Sequence, residues 1–583
     1  MRAIPPGLSA PVDSLVTLLR ARAQLHPQQP LFTFLGRRSD VLRTMSFGAL
    51  DRRARAVAAR LRPVAAPGTC VAVVCPNDLH FIEAFMGCQY ASVTPVPGPP
   101  LQGFHAAERL RRVLGEITPT AVVTTTAIAE RLQAQRDRLP VLINVPHICV
   151  DSIADAEADD WTPAETEVHP LAFLQFTSGS LSTPKGVRVS HANILDNLEV
   201  LQRAFGHGEG SRIVSWLPFF HDWGLIGGLL QPIYSGIQSI LFDPLEFVRR
   251  PALWLETISR YQATVSGAPN FAYDLCCSSL RPAQCAGLDL DCWRIAIVGA
   301  EPIRAQTLRR FADTFAACGF REEAFFTSYG LAESTLAVTG GPQGRAPRSL
   351  ALTRRALEAG RVESTHSADA STARVLVSCG RPLLEDVCIV DPQARTRQAP
   401  NVIGEVWVAG PSVAEGYWNL DAESHEQFHA VRADDAEAHT YLRTGDQGFL
   451  HDGELYLTGR IKDLMIVNGR NLYPEDVERV AGEAHEILRS GKGAAFSVEM
   501  NGVEQFVVAH EVEFGRGGDP IAVTEAVCRA VVDATGIAPG AIVLVKAGGI
   551  PRTSSGKIRR QECRQRYLAG VLPCGHTWQN PTA

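Results

Sequence analysis

The segment Phe176-Thr-Ser-Gly-Ser-Leu-Ser-Thr-Pro-Lys-Gly-Val187 follows the apolar run Leu171-Ala-Phe-Leu174 and carries five hydroxyl side chains, two glycines and one lysine. Small residues let a backbone approach a ligand closely. Free backbone N–H groups, hydroxyls and a cation are what a polyphosphate needs around it. The same composition also suits a surface turn. The segment is not a G-x-x-x-x-G-K-[ST] loop, because Lys185 is followed by Gly186 and Val187.

Outward from this loop, short β-branched runs alternate with helical patterns. Cys70-Val-Ala-Val-Val-Cys75, Ala121-Val-Val-Thr-Thr125 and Arg294-Ile-Ala-Ile-Val298 read as buried strands. After Ser190, an N-cap candidate, Ile194, Leu195, Leu198, Leu201 and Phe205 recur at helical spacing. Such alternation predicts α/β layers with a largely parallel sheet. Residues 342–373 are rich in Arg, Ala and Ser and read as an insertion or mobile loop, with a short helix at Thr353–Ala359. Beyond them β patterns dominate, and Asp452-Gly453 between two apolar runs predicts a hairpin. A new αβ pattern from about residue 463 predicts a small C-terminal domain.

Bulk properties exclude several classes. The chain has 583 residues, too many for one core. A net charge of −6 gives no electrostatic reason to expect nucleic acid. The fourteen cysteines contain no C-x-x-C pair, so neither a metal nor a disulfide framework is expected. No apolar run approaches the ~18 residues of a membrane span. The start, Met1-Arg-Ala-Ile-Pro-Pro6, does not read as a signal peptide, and a cytoplasmic location is expected.

Further motifs carry chemistry. His221-Asp222 lies among aromatics and glycines in Trp216-Leu-Pro-Phe-Phe-His-Asp-Trp-Gly-Leu-Ile-Gly-Gly228, which suits an apolar pocket with a polar gate or a histidine at a core turn. Val298-Gly-Ala-Glu-Pro302 follows a strand, where open α/β sheets bind ligands. In Ser328-Tyr-Gly-Leu-Ala-Glu-Ser334, Tyr329 can stack on a base and Glu333 can ligate Mg²⁺. Thr444-Gly-Asp446, read as a tight turn, offers a carboxylate to a ribose, with Arg460 close behind. Pro551-Arg-Thr-Ser-Ser-Gly-Lys-Ile558 places Lys557 in a polar loop of the C-terminal part.

In this order, these motifs resemble the adenylate-forming superfamily over nearly the whole chain, from about residue 15 to 570. Within it the chain looks most like the fatty acyl-AMP ligases. Trp216–Gly227, Gly459-Arg-Ile-Lys-Asp-Leu-Met-Ile-Val-Asn-Gly-Arg-Asn-Leu-Tyr-Pro474 and Pro551–Arg560 follow that family's patterns, and 342–373 falls at its insertion. The resemblance implies an α/β fold. Residues 1–461 would form a large N-terminal domain of layered sheets and helices, with a small β-barrel-like subdomain. Residues 462–583 would form a small mobile α+β domain. Two departures stand out: Leu181-Ser182 replaces Thr-Gly or Thr-Ser in the loop, and Trp223 replaces a Met beside the acyl pocket.

By the same resemblance, Thr177, Ser178, Gly179, Ser180, Thr183 and Lys185 bind the triphosphate of ATP. Gly299, Ala300, Glu301, Ser328, Tyr329 and Gly330 line the adenine site, Asp446 and Arg460 hold ribose and phosphate, and Glu333 holds Mg²⁺. Lys557, Glu333 and His221 are assigned to catalysis, and Lys462 is the hinge between two orientations of the small domain. The implied reaction joins a fatty acid to AMP, then passes the acyl group to the phosphopantetheine thiol of an acyl carrier protein. That carrier is expected on a separate chain, since no Asp-Ser attachment motif follows residue 560. The alternatives are an acyl-CoA ligase and a catalytically inactive nucleotide-binding homologue.

Overall fold

The computed structural model describes residues 4–101, 106–163, 170–177, 184–367, 372–467, 470–488, 491–500, 503–512, 519–553 and 556–580. Ser178, Gly179, Ser180 and Thr183, with Leu181 and Ser182, lie outside them. The strands on either side of that loop, Leu171–Thr177 and Lys185–Ser190, pair antiparallel, with Thr177 opposite Lys185 at the open end. The second strand runs straight into helix His191–Phe205. Ser190 caps that helix by accepting from the Asn193 N–H at 3.2 Å, and Ile194, Leu198, Leu201 and Phe205 turn inward, as their spacing predicts.

Two parallel-centred sheets build the large domain. The first orders Thr94–Pro97, Cys70–Val74, Ala121–Thr124 and His147–Cys149, all parallel. The second has nine strands. Its parallel centre runs Phe325–Gly330, Ile295–Val298, Val265–Ala268, Arg212–Ser215, Gln238–Phe242 and Pro30–Leu35, with antiparallel strands at both edges. The central strands bear apolar residues on both faces because helices cover both. One face is dominated by aromatic rings: Trp216, Phe247, Trp254, Tyr273, Trp293 and Phe311 are all within 3% of full burial. Their edge-to-face contacts, such as Trp254 on Trp293 at 5.3 Å, fix the layer more sharply than area alone.

The β-rich part is a five-stranded antiparallel sheet of Asp386–Val390, Gly404–Ala409, Thr440–His451, Ala430–Val431 and Glu454–Arg460. Asp452 (φ 51°) and Gly453 (φ 77°) make the expected hairpin turn. Thr444-Gly-Asp446, expected as a turn, lies instead inside a twelve-residue strand. The irregularity there is a bulge. Gly445 takes φ 71°, its N–H reaches Glu405 Oε1 at 3.1 Å, and the register shifts between Gln447 and Gly448.

The expected insertion is ordered where described. Ser349–Thr353 pairs with Ala373–Val377, and helix Arg354–Glu358 stands between them. Leu352, Leu357 and Leu376 are buried against Tyr473 of the C-terminal domain. Arg354 and Arg374 both reach Asp476, at 2.9 and 3.3 Å, and Arg470 pairs with Glu358 at 2.7 Å. The composition was polar because the outer face is solvated, while a thin leucine stripe docks.

The C-terminal domain is a four-stranded sheet of Gly493–Met500, Val503–Val512, Ala541–Lys546 and Cys574–Gln579. Its alternation sends Phe506, Val508 and Leu544 to one apolar cluster and Phe496, Val507 and Val543 to another. Both clusters draw only on residues from Met465 onward. No helix among the described residues is long and apolar enough to cross a membrane.

Candidate active site

In the nine-stranded sheet, neighbouring parallel strands Ile295–Val298 and Phe325–Gly330 end side by side, with Val298 opposite Thr327. Ligands bind beyond such carboxyl ends. The chain leaves the first strand through Gly299, Ala300 and Glu301. Ala300 takes φ 64°, a strained choice for a residue with a Cβ. Glu301 accepts from the Phe271 N–H at 2.6 Å, and burial raises its pKa. The second strand ends in Ser328, Tyr329 and Gly330. Gly330 has no room for a side chain: a Cβ there would stand 1.8 Å from the Leu336 carbonyl oxygen.

Tyr329 is 7% exposed and donates its hydroxyl to Asp446 Oδ2 at 2.7 Å. Arg460, the cross-strand partner of Asp446, donates Nε to Oδ1 at 3.0 Å. The three motifs therefore meet on one carboxylate. Each of its oxygens keeps a lone pair for further donors such as ribose hydroxyls.

Glu333 sits in a 3₁₀ turn, Ala332–Ser334, immediately before Thr335 at φ 67°, ψ −62°. There the Leu336 N–H closes a γ-turn on the Ser334 carbonyl at 2.7 Å, a strained geometry at a polar site. The Glu333 side chain accepts from the Tyr417 hydroxyl at 2.9 Å, and burial raises its pKa. Lys185 stands with its ammonium 4.7 Å from the centre of the Tyr417 ring and ion-pairs with Glu423.

Lys557 arrives from the C-terminal domain. Its loop is pinned by hydrogen bonds that include those from the Thr553 N–H to the Lys557 carbonyl at 2.8 Å and from the Lys557 N–H to Thr553 Oγ1 at 3.0 Å. Lys557 is exposed as a residue. Desolvation lowers its pKa, the Arg460 charge lowers it further, and Asp222, Glu301 and Asp446 pull the other way. One lysine thus lies within electrostatic reach of four of the expected motifs. Lys462 sits at the surface in the 3₁₀ turn Ile461–Asp463, its carbonyl accepting from Gln561 Nε2 at 3.0 Å.

His221 precedes the short helix Asp222–Leu225, with its ring 4.7 Å from that of Phe220. Asp222 is the member of the pair whose charge acts on Lys557. Next to it, the Trp223 indole lies across two glycines. A Cβ on Gly267 or Gly227 would come within 2.8 or 2.9 Å of it. Sequence reasoning missed Tyr417 and Glu423. Their only local signal is Glu415-Gly-Tyr-Trp418, an aromatic pair after a glycine, which reads as an ordinary strand end.

The AMP-binding enzyme family profile matches residues 19–418. The medium-chain-fatty-acid–[acyl-carrier-protein] ligase JamA of Moorena producens (strain JHB) is 39% identical over 96% of both chains. A fatty acyl-adenylate ligase from L. pneumophila, solved in complex with acyl adenylate and pyrophosphate, is 38% identical, with TM-score 0.75 over 97% of this chain and 98% of that one. A structure from work on the fatty acyl-adenylate ligases of E. coli and L. pneumophila superposes with TM-score 0.84 at 31% identity, over 96% and 98%. The chain belongs to the AMP-binding enzyme family, in its fatty acyl-AMP ligase branch.

Proposed function

We propose that this protein activates a fatty acid with ATP, releasing pyrophosphate and forming an acyl-adenylate, and then passes the acyl group to the phosphopantetheine thiol of a carrier protein in the cytoplasm. The observation that carries the reading is the meeting of Tyr329 and Arg460 on the Asp446 carboxylate, with Lys557 of the C-terminal domain in the field of Arg460, Asp222, Glu301 and Asp446 of the large domain. The boundary of the mobile domain is proposed at 461/462, where the turn Ile461–Asp463, with Lys462 exposed, stands before the self-contained apolar clusters.

A carboxylic acid is already ionised at pH 7, so its attack on the α-phosphorus needs no general base. One C–O–P bond forms, and the bond from the α-phosphorus to pyrophosphate breaks. The protein's task is to bring two anions together and to stabilise charge moving onto the leaving group. Lys557 would bridge the carboxylate and α-phosphate. Asp446 would hold the ribose, with Tyr329 and Arg460 fixing its orientation. Thr177 and Lys185 would flank the β- and γ-phosphates, together with Ser178, Gly179, Ser180 and Thr183.

The residues fit Mg²⁺ held through the nucleotide. No cluster of three or more His, Cys, Asp or Glu side chains forms a protein cage among the described residues, while Glu333 offers one carboxylate beside the phosphate lysine. One or two carboxylates completed by substrate phosphates is the usual Mg²⁺ arrangement. When bound, the ion neutralises phosphate charge.

ATP–pyrophosphate exchange across a panel of fatty acids tests the first step, and the panel is expected to show clear acid-dependent exchange. Offering CoA and a pantetheinylated carrier in parallel tests the second. Abundant acyl-CoA would overturn the choice of acceptor, and background exchange with every acid would overturn the whole reading.

A further inference from the structure

Lys185 and Glu333 belong to different elements, yet both touch Tyr417. The ring of Tyr417 lies under the Lys185 ammonium at 4.7 Å, and its hydroxyl donates to Glu333 Oε1 at 2.9 Å. Tyr417 itself is held firmly. It is 3% exposed, its N–H donates to Ser424 Oγ at 2.8 Å, and its ring stands edge-on to Phe428 at 5.0 Å. Its segment also runs as an added strand beside Lys185–Ser190. Gly416 accepts from the Arg188 N–H at 2.9 Å, Trp418 donates to the Gly186 carbonyl at 2.7 Å, and Tyr417 bridges Val187. The segment after it carries Glu423, the exposed partner of Lys185.

We propose that Tyr417 is a positioning residue that sets the phosphate lysine and the metal carboxylate as one unit, its ring seating Lys185 and its hydroxyl orienting Glu333. The proposal rests on the adenylation reading given above. A cation over an aromatic face is attracted by the ring quadrupole and confined laterally. A hydroxyl donating to one carboxylate oxygen fixes the rotamer and leaves the other oxygen for a metal. An incoming phosphate would displace Glu423 from Lys185 while the ring keeps the ammonium in place. A purely structural role for Tyr417 would need the ring but not the hydroxyl's placement at Glu333.

The test is calorimetric binding of ATP in EDTA and in Mg²⁺, with melting temperature as a check on folding. Tyr417→Phe keeps the ring and loses the hydroxyl. The tightening of ATP binding by Mg²⁺ is expected to shrink by about tenfold, the worth of a hydrogen bond to a charged group. Metal-free ATP binding should stay within about twofold of wild type. Tyr417→Leu removes the platform as well and should weaken metal-free ATP binding by a further factor of about three. Wild-type metal dependence in Tyr417→Phe overturns the proposal. So does an equal loss with and without metal, which would mark a structural role. A wild-type protein that binds no ATP would refute the adenylation reading, and this proposal with it.

Discussion

Asp476 Oδ2 accepts from Arg354 Nη1 at 2.9 Å, joining the inserted helix Arg354–Glu358 to the helix Pro474–Glu483 of the C-terminal domain. Arg374 completes the pair from the other side of the insertion and lies 4.5 Å over the Tyr473 ring. All three charges are at most 16% exposed. The contact therefore ties the domain that carries Lys557 to the insertion in one orientation.

Asp476→Asn should loosen that orientation. Losing a charge-assisted pair at such a site costs about 1.5–3 kcal/mol, enough to raise the open population about tenfold or more. Trypsin cleavage after Lys462 reads this directly. A cleavage rate equal to wild type would show that the insertion does not restrain the domain.

Lys557→Ala should lower acyl-adenylate formation by about 10²–10³ while leaving ATP affinity nearly unchanged, since the bridge matters most as charge develops. A rate within about threefold of wild type would remove Lys557 from the reaction. The pH dependence has a definite sign. Its depressed pKa means the ammonium is lost earlier on the alkaline side than an ordinary lysine's. Activity should be full below that pKa and fall as pH rises through it, and Lys557→Arg, if active, should move the limb upward.

Trp223 should set the acyl chain length. Its indole packs over Gly267, near the carboxyl end of the central strand Val265–Ala268, and over Gly227 of the helical turn Ile226–Leu230. Trp223→Met empties part of the space the indole occupies and should shift the exchange optimum to longer acids. Gly267→Ala, which sets a Cβ 2.8 Å from the indole, should reduce activity with all of them. An unchanged chain-length profile in Trp223→Met would place the end of the pocket elsewhere.

His207 should make the fold acid-sensitive. It is 6% exposed, neither ring nitrogen has a hydrogen-bond partner among the described residues, and burial lowers its pKa to about 4. The unfolded chain takes up this proton near pH 6.5 and the folded one only near 4, so stability falls as pH drops through that window. The loss sums to roughly 3 kcal/mol by pH 4. His207→Phe, beside Phe205 at 5.5 Å, should melt more nearly alike at pH 5 and pH 7, and an unchanged pH dependence of Tm would reject the assignment.

Strand and helix patterns were legible because they depend on neighbours in the chain. Ser190 and the leucines after it, the runs at Cys70, Ala121 and Ile295, and the Asp452-Gly453 turn all form as their local chemistry directs. One local signal misled and another was incomplete. Gly445-Asp446 carries turn chemistry, but pairing with Glu405 and Arg460 on both sides holds it in a bulged strand. Within residues 342–373 the short helix expected at Thr353–Ala359 forms as Arg354–Glu358, but the paired strands beside it were not legible, because only a few leucines dock and their partners come after residue 400.

By itself the sequence determined the layered α/β plan, the family motifs and the identity of the charged groups, since each is written within a few consecutive residues. Only the tertiary structure decided which of these groups share a site. Tyr417 reaches Glu333 across 84 residues, Tyr329 reaches Asp446 across 117, and Lys557 comes within the field of Asp222 from another domain. Such meetings depend on sheet order and domain docking. Those are set by burial over the whole chain, which no short stretch of sequence carries.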